Sequence, residues 1–258
     1  MKTRLAAFVL RGFWQSLDWI YPPVCASCGE IGSRLCTKCQ SMIKFIRGNR
    51  CGICGEPMPD GRTTCAACQN RPPTFAAVVN LAVYEGVIRD CIHSLKYANN
   101  PGLGEFFSDW LEELVYDAGW SVDGVLPVPL SAQRLAERGY NQAASIARPL
   151  ALRLGIRYLP FAIECVRDTP SQVGLSGEAR RKNVIGAFKA NPDVVAGKRM
   201  LIVDDVMTTG ATLEACASAL REAGSGEVYG LTLGRFGAHL TTVNKSNRSS
   251  SIINQSNY

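Results

Sequence analysis

From Ala77 onward, short apolar runs alternate with longer amphipathic stretches, a rhythm that predicts strands separated by helices. Ala77–Tyr84 has the near-continuous apolar character of a buried strand, while Gly86–Tyr97 and Leu103–Ala118 space their apolar residues as helices do. Gly124–Val128 is a short apolar strand that runs into prolines, and Ser131–Leu154 reads as one long helix capped by Ser131. Ala162–Arg167, Met200–Val203 and Val228–Leu233 are further strands, and a helix over Thr212–Ala223 is closed by Gly224. Such alternation makes βαβ units, so the expected fold class is α/β, with a mainly parallel sheet flanked by helices.

The chain before Ala77 is written differently. Cys25–Cys68 lacks long apolar runs and is rich in Gly, Cys and tight turns such as Met58-Pro59-Asp60-Gly61. A conventional core is therefore not expected there, and a bound metal has to supply the stability. Arg71-Pro72-Pro73 forms a stiff connector. At the N-terminus Leu5, Val9, Phe13, Leu17 and Ile20 fall on one helical stripe, and Arg11 and Asp18 interrupt the apolar run. An amphipathic helix packing on the protein is expected rather than an export signal. No run of 18 apolar residues exists, so no membrane span is expected. Asn244–Tyr258 is dominated by Asn and Ser and is expected to be disordered. The expected organisation is a helix over 1–24, a small N-terminal cysteine-rich zinc module over 25–70, the α/β domain over 71–243 and a tail over 244–258.

Eight of the eleven cysteines form four Cys-x-x-Cys pairs: Cys25/Cys28, Cys36/Cys39, Cys51/Cys54 and Cys65/Cys68. This is metal-ligand spacing, and it points to a reducing, cytoplasmic compartment rather than to disulfides. Eight thiolates make two tetrahedral zinc sites, which leave no open position for chemistry and are therefore structural. Consecutive pairing, Cys25/Cys28/Cys36/Cys39 and Cys51/Cys54/Cys65/Cys68, closes the shortest loops, with interleaved pairing as the alternative. Cys91, Cys165 and Cys216 stand alone in apolar patterns and are expected as small buried residues. His93 and His239 lack ligand-spaced partners and are expected at the surface or in the core.

The most specific segment is Met200-Leu201-Ile202-Val203-Asp204-Asp205-Val206-Met207-Thr208-Thr209-Gly210-Ala211-Thr212. A buried strand ends in two carboxylates, and a loop rich in hydroxyls then opens a helix. Amides at that helix start, with the hydroxyls of Thr208, Thr209 and Thr212, suit a monophosphate, and Gly210 permits close backbone approach. Asp204 and Asp205 suit the two vicinal hydroxyls of a ribose. The segment is neither a Walker loop nor a dinucleotide fingerprint. Formal net charge is +6, and Ser131–Ala190 holds ten Arg or Lys against four acidic residues. An anionic ligand there is plausible, although a charge run alone more often marks a solvated face.

The thirteen-residue segment resembles the PRPP-binding signature of type I phosphoribosyltransferases, and the chain as a whole resembles the ComF/GntX family of natural transformation. The resemblance runs from about Cys25 to Arg235. It rests on the cysteines, Leu95-Lys96-Tyr97, Pro127-Val128-Pro129, Arg138-Gly139-Tyr140-Asn141-Gln142, Gln172–Phe188 and the signature. It implies a phosphoribosyltransferase-type domain behind a double zinc ribbon. In that picture Asp204 and Asp205 hold the ribose hydroxyls, and Met207, Thr208, Thr209, Gly210, Ala211 and Thr212 wrap the 5-phosphate. The Pro127–Leu130 turn, with Pro127, Val128 and Pro129, becomes the pyrophosphate loop. Gln172–Asn183, with Arg180 and Arg181, becomes a hood or basic patch. Arg134, Arg138 and Asn141, spaced i, i+4 and i+7 along one helix, bind anions.

Two functions follow from the resemblance. One is Mg²⁺-dependent phosphoribosyl transfer from PRPP to a nitrogen acceptor, with Mg²⁺ held mainly by ligand oxygens and water. The other is a non-catalytic competence protein that binds single-stranded DNA beside a helicase-like partner, with Tyr97 and Tyr140 available for base stacking.

Overall fold

The computed structural model describes residues 22–58, 60–98, 100–168, 179 and 183–237. The expected N-terminal helix, Arg180 and Arg181 with most of the hood segment, His239 and the C-terminal tail lie outside them. Two short helices, α1 (Thr37–Ser41) and α2 (Ala66–Asn70), begin directly after Cys36 and Cys65. They belong to two copies of one small motif. In each copy a cysteine amide closes a turn, Cys25 N to Glu30 O at 2.8 Å and Cys51 N to Glu56 O at 2.7 Å. Gln40 and Gln69 each donate to the carbonyl of the residue before the third cysteine, Leu35 and Thr64.

The larger unit contains β1 (Ala77–Val83), α3 (Gly86–Tyr97), α4 (Gly102–Asp117), β2 (Gly124–Pro127), α5 (Ala132–Arg138), α6 (Gln142–Leu154) and β3 (Arg157–Tyr158). There follow β4 (Ile163–Cys165), β5 (Phe188–Ala190), α7 (Pro192–Val195), β6 (Met200–Met207), α8 (Ala211–Glu222) and β7 (Val228–Arg235). Five strands form one all-parallel sheet in the order β1-β7-β6-β2-β3. Val79, Leu81, Val203 and Leu231 pack beneath α3, α4 and α6, while Val78, Ile202, Leu213 and Leu220 pack with α8 on the other face.

Three expectations need correction. Ser131–Leu154 is two helices, because Gly139 takes φ +75° and ends α5, and Asn141 restarts the chain by accepting from the amides of Ala143 and Ala144. Arg134, Arg138 and Asn141 therefore do not form one helical stripe. The Ala162–Arg167 strand does not join the parallel sheet. Its central residues form β4, which pairs antiparallel with β5 in a separate hairpin. The cysteine-rich module also has a core after all, shared with the sheet: Leu35 and Ile43 join one apolar layer, and Met58 joins the other.

That shared packing has a topological role. β1 is an edge strand, and exposed edges invite unwanted pairing. Here Ile46 N donates to Leu81 O, Val83 N to Lys44 O and Val78 N to Ile53 O, so the module covers the edge.

Candidate functional site

In open α/β sheets the ligand crevice lies at the carboxyl ends of neighbouring strands whose connections leave in opposite directions. β2 and β6 are such neighbours: after β2 the chain passes through α5 and α6 to β3, and after β6 it passes through α8 to β7. The Pro127–Leu130 turn and the Asp204–Thr212 segment stand at these two ends. Val128 N donates to Val203 O at 2.9 Å and ties the turn to β6. Strand β6 continues past Val203 to Met207, so both carboxylates are part of the sheet.

The loop from Met207 closes tightly. Gly210 caps α8 at φ +78°, and a Cβ there would lie 2.7 Å from Met207 Cε. Only glycine meets both demands without strain. Thr209 Oγ1 accepts from Ala211 N at 3.4 Å, and Glu214 N donates to Gly210 O at 2.9 Å, so the loop leads straight into the first turn of α8, the end of a helix where N–H groups point outward. A phosphate seated there receives N–H donors.

Asp205 is buried, with Lys96 Nζ at 2.8 Å from its Oδ2. The Asp205 amide donates to Asp204 Oδ1 at 2.9 Å, and Asp204 lies in register with Thr232 of β7. Lys96, at the end of α3, is the site residue that sequence analysis did not place. Its only signal was membership of the Leu95-Lys96-Tyr97 motif. Burial works against the Lys96 ammonium, but Asp205 and then Asp204 outweigh it and hold the pKa above its usual value.

Burial, reinforced by the neighbouring Asp205 charge, pushes Asp204 up from 3.8 to about 8. A raised carboxyl pKa means that the folded state favours the proton. The resulting stabilisation of the ligand-free protein is fully present below about pH 4 and is lost as pH rises through about 8. Asp204→Asn should therefore flatten the melting temperature between pH 5 and 9, measured by calorimetry with wild type beside it. An unchanged profile would place the titration elsewhere.

The Arg138–Gln142 segment braces the crevice. Asn141 Nδ2 donates to Val128 O at 2.9 Å, fixing the turn after β2. The Tyr140 hydroxyl donates to Leu95 O, which positions the residue before Lys96. Arg138 donates to Gln142 Oε1 at 2.8 Å and sits 5.6 Å from the Tyr97 ring centroid. Tyr97 is exposed, and its other neighbour is the exposed His93. Cys91 and Cys216 are buried as expected, whereas Cys165 is only half-buried.

The cysteines gather in two groups by consecutive pairing, Cys25/Cys28/Cys36/Cys39 and Cys51/Cys54/Cys65/Cys68, with all four sulphurs of each within 4.8 Å of one another. Zn–S bonds of about 2.3 Å in a tetrahedron place sulphurs roughly 3.8 Å apart. Cys28 Sγ and Cys36 Sγ are 3.7 Å apart, and Cys54 Sγ and Cys65 Sγ are 3.6 Å apart. Burial raises Cys25 and Cys51, but nearby amides outweigh it and bring them down to about 6 and about 7. Cys39 is pushed up to about 12 by burial and the adjacent sulphurs. A divalent cation relieves this crowding by drawing four thiolates around one centre and offsetting half of their charge, so both clusters fit structural zinc. Elemental analysis should give two zinc per chain, with protons released on loading. Zinc-free native protein, or disulfides among these cysteines, would contradict this.

Comparison with known proteins agrees with both halves of the structure. A model of the double zinc ribbon domain matches residues 16–69, and a model of the phosphoribosyl transferase domain matches residues 109–238. The DNA utilization protein YhgH of Salmonella typhimurium is 31% identical over 199 residues, which is 75% of this chain and 87% of that protein. Competence protein F of Haemophilus influenzae is 31% identical over 201 residues, again 75% of this chain and 87% of the other. Among solved structures, the glutamine phosphoribosylpyrophosphate amidotransferase of B. subtilis superposes with a TM-score of 0.38 and 24% identity, over 54% of this chain and 30% of that one. With both domain models matched and these relatives aligned over three quarters of its length, the chain belongs to the ComF/GntX family, a double zinc ribbon joined to a phosphoribosyltransferase domain.

Proposed function

We propose that the chain binds PRPP, or a closely related 5-phosphoribosyl ligand, in the crevice between the β2 and β6 ends and transfers its phosphoribosyl group to a nitrogen acceptor. The observation that carries this is the meeting of the Asp204–Asp205 pair and the Met207–Thr212 loop at the sheet's switch point. Asp204 and Asp205 accept hydrogen bonds from the ribose hydroxyls. Thr208, Thr209, Gly210, Ala211 and Thr212 enclose the 5-phosphate with amides and hydroxyls. The Pro127, Val128 and Pro129 turn, braced by Asn141, faces the pyrophosphate, with Arg138 as a nearby cation. Lys96, 2.8 Å from Asp205 Oδ2, holds that carboxyl group in place beside the crevice before the ligand arrives.

In the transfer, the bond from the anomeric carbon to the pyrophosphate oxygen breaks and pyrophosphate leaves with the electron pair. The acceptor nitrogen bonds to that carbon and gives up its proton to solvent. Magnesium fits as a passenger on ligand oxygens and water: among the described residues, the clusters of three or more potential metal ligands are the two cysteine groups, and neither is at the crevice. When bound it spreads the charge that develops on the leaving pyrophosphate. Pyrophosphate release from PRPP with a panel of nitrogen acceptors tests the transfer. Release with one acceptor supports it, whereas saturable PRPP binding with no release under any acceptor reduces the site to a binding site.

A second reading draws on the relatives' names, which speak of competence and DNA utilization. In it the chain binds single-stranded DNA through its basic segment, with a helicase-like protein as partner. Binding should then weaken with salt at a slope of about −0.7 per contacted phosphate, and Arg180→Ala/Arg181→Ala should make that slope shallower. Fluorescence titration over a salt series checks this. No binding at low salt, or an unchanged slope in the variant, would remove this patch from the picture.

A further inference from the structure

We infer that the second cysteine cluster is a positioning element for the crevice, acting through Asn80 and Arg235. Cys54 is joined to the sheet at two places. Its carbonyl accepts from Asn80 Nδ2 at 3.1 Å, and the Asn80 Oδ1 accepts from Thr232 Oγ1 at 2.8 Å. Asn80, Thr232 and Asp204 occupy one row across β1, β7 and β6, in parallel register. Asn80 and Thr232 are both about 1% exposed, so neither has water as an alternative partner.

The second join is Arg235. Its Nη2 lies 3.9 Å from Cys54 Sγ and 2.6 Å from Glu56 Oε2, inside the second ribbon's knuckle. Arg235 is in register with Met207, where the phosphate loop begins, and Phe236 N donates to Met207 O at 2.9 Å. The two joins thus end beside the first and last residues of Asp204–Met207. Buried polar chains of this kind hold geometry only while each member keeps its partner.

The two ribbons differ here. Gly29, after the first ribbon's second cysteine, has open space where a Cβ would be. At the matching Gly55 a Cβ would lie 2.4 Å from Asn80 Nδ2 and 2.8 Å from Val78 O. The second knuckle is pressed onto the sheet at the site's own row. Outer partners of metal ligands orient them, and their loss costs about 10–100-fold in metal affinity. The same bonds carry a disturbance the other way, from an emptied cluster to the row of Asp204.

The test compares Cys28→Ser, Cys65→Ser and the apolar pair Asn80→Val/Thr232→Val in the full chain. Amide hydrogen exchange over 204–212 is read without ligand, and calorimetry follows binding of ribose 5-phosphate. Cys65→Ser should speed exchange in that segment and weaken ribose 5-phosphate about tenfold or more, and Cys28→Ser should change neither. If Cys65→Ser fails to fold, Asn80→Val/Thr232→Val reads the same link. It should release one of the two zinc ions to a chelator at least about tenfold faster, with faster exchange at 204–212, whereas Thr232→Ser alone, which keeps the hydroxyl, should behave as wild type. Equal effects from the two cysteine variants, or unchanged exchange in both Cys65→Ser and the Val pair, would overturn the inference. The calorimetric arm rests on the proposed ligand and the exchange arm does not. Wild type that ignores ribose 5-phosphate while exchange responds therefore sinks the ligand and leaves the coupling standing.

Discussion

Replacing both carboxylates, Asp204→Asn/Asp205→Asn, should weaken PRPP at least about tenfold, the equivalent of 1.4 kcal/mol. At pH 9, where Asp204 too has lost its proton, hydrogen bonds to charged acceptors are worth roughly 1.5–3 kcal/mol each, and an amide has to turn the correct atom toward the hydroxyl. The variant should still fold, because Met200, Leu201, Ile202 and Val203, all within about 1% of full burial, supply the strand's packing. The cleaner comparison is Asp204→Asn alone, since it leaves the Lys96–Asp205 pair in place. Calorimetric titration beside a thermal melt of each protein separates affinity from folding. A folded double variant that binds as tightly as wild type would show that the carboxylates do not contact the ligand.

The second large effect concerns Lys96. Lys96→Met leaves the Asp205 carboxylate, only 4% exposed, without its counter-charge. Breaking one side of a buried pair costs about 3–5 kcal/mol. Because Lys96 retains 21% of its side-chain exposure, the low end, about 3 kcal/mol, is expected. For a chain of this size that lowers the melting temperature by roughly 6–12 °C. Adding Asp205→Asn to Lys96→Met removes the stranded charge and should recover much of the loss, the non-additivity expected of residues in contact. Strict additivity in that cycle would mean the pair contributes nothing as a pair.

How far the sequence led depends on the range of the interactions involved. β6, the phosphate loop and α8 were legible because their signals are local: an apolar run, adjacent acids, a glycine at positive φ and a helical stripe follow one another within about two dozen residues. The cysteine spacing was legible for the same reason, and consecutive pairing follows because each motif folds on itself. Lys96 was not placed, because its partner Asp205 is far along the chain and only the packing of α3 against the sheet brings them together. The break at Gly139 was obscured by an apolar periodicity that continues across it, although Gly-Tyr-Asn contains both a helix stop and a new cap. The zinc module's core was invisible because Leu35, Ile43 and Met58 are too few to form one alone. They are buried only by sharing the sheet's two apolar layers. β4 and β5 are three residues each and pair across a long connection, so alternation alone did not reveal their antiparallel hairpin.

The most direct measurement is a crystal structure of the chain grown with PRPP and Mg²⁺. The expected result is one ligand at the β2–β6 crevice, its 5-phosphate on the amides of Thr208–Thr212, its ribose hydroxyls on Asp204 and Asp205, and its pyrophosphate toward Pro127–Leu130. Ligand density at any other place, or a phosphate lodged against Asp204 and Asp205 instead of the loop, would contradict the assignment of this crevice.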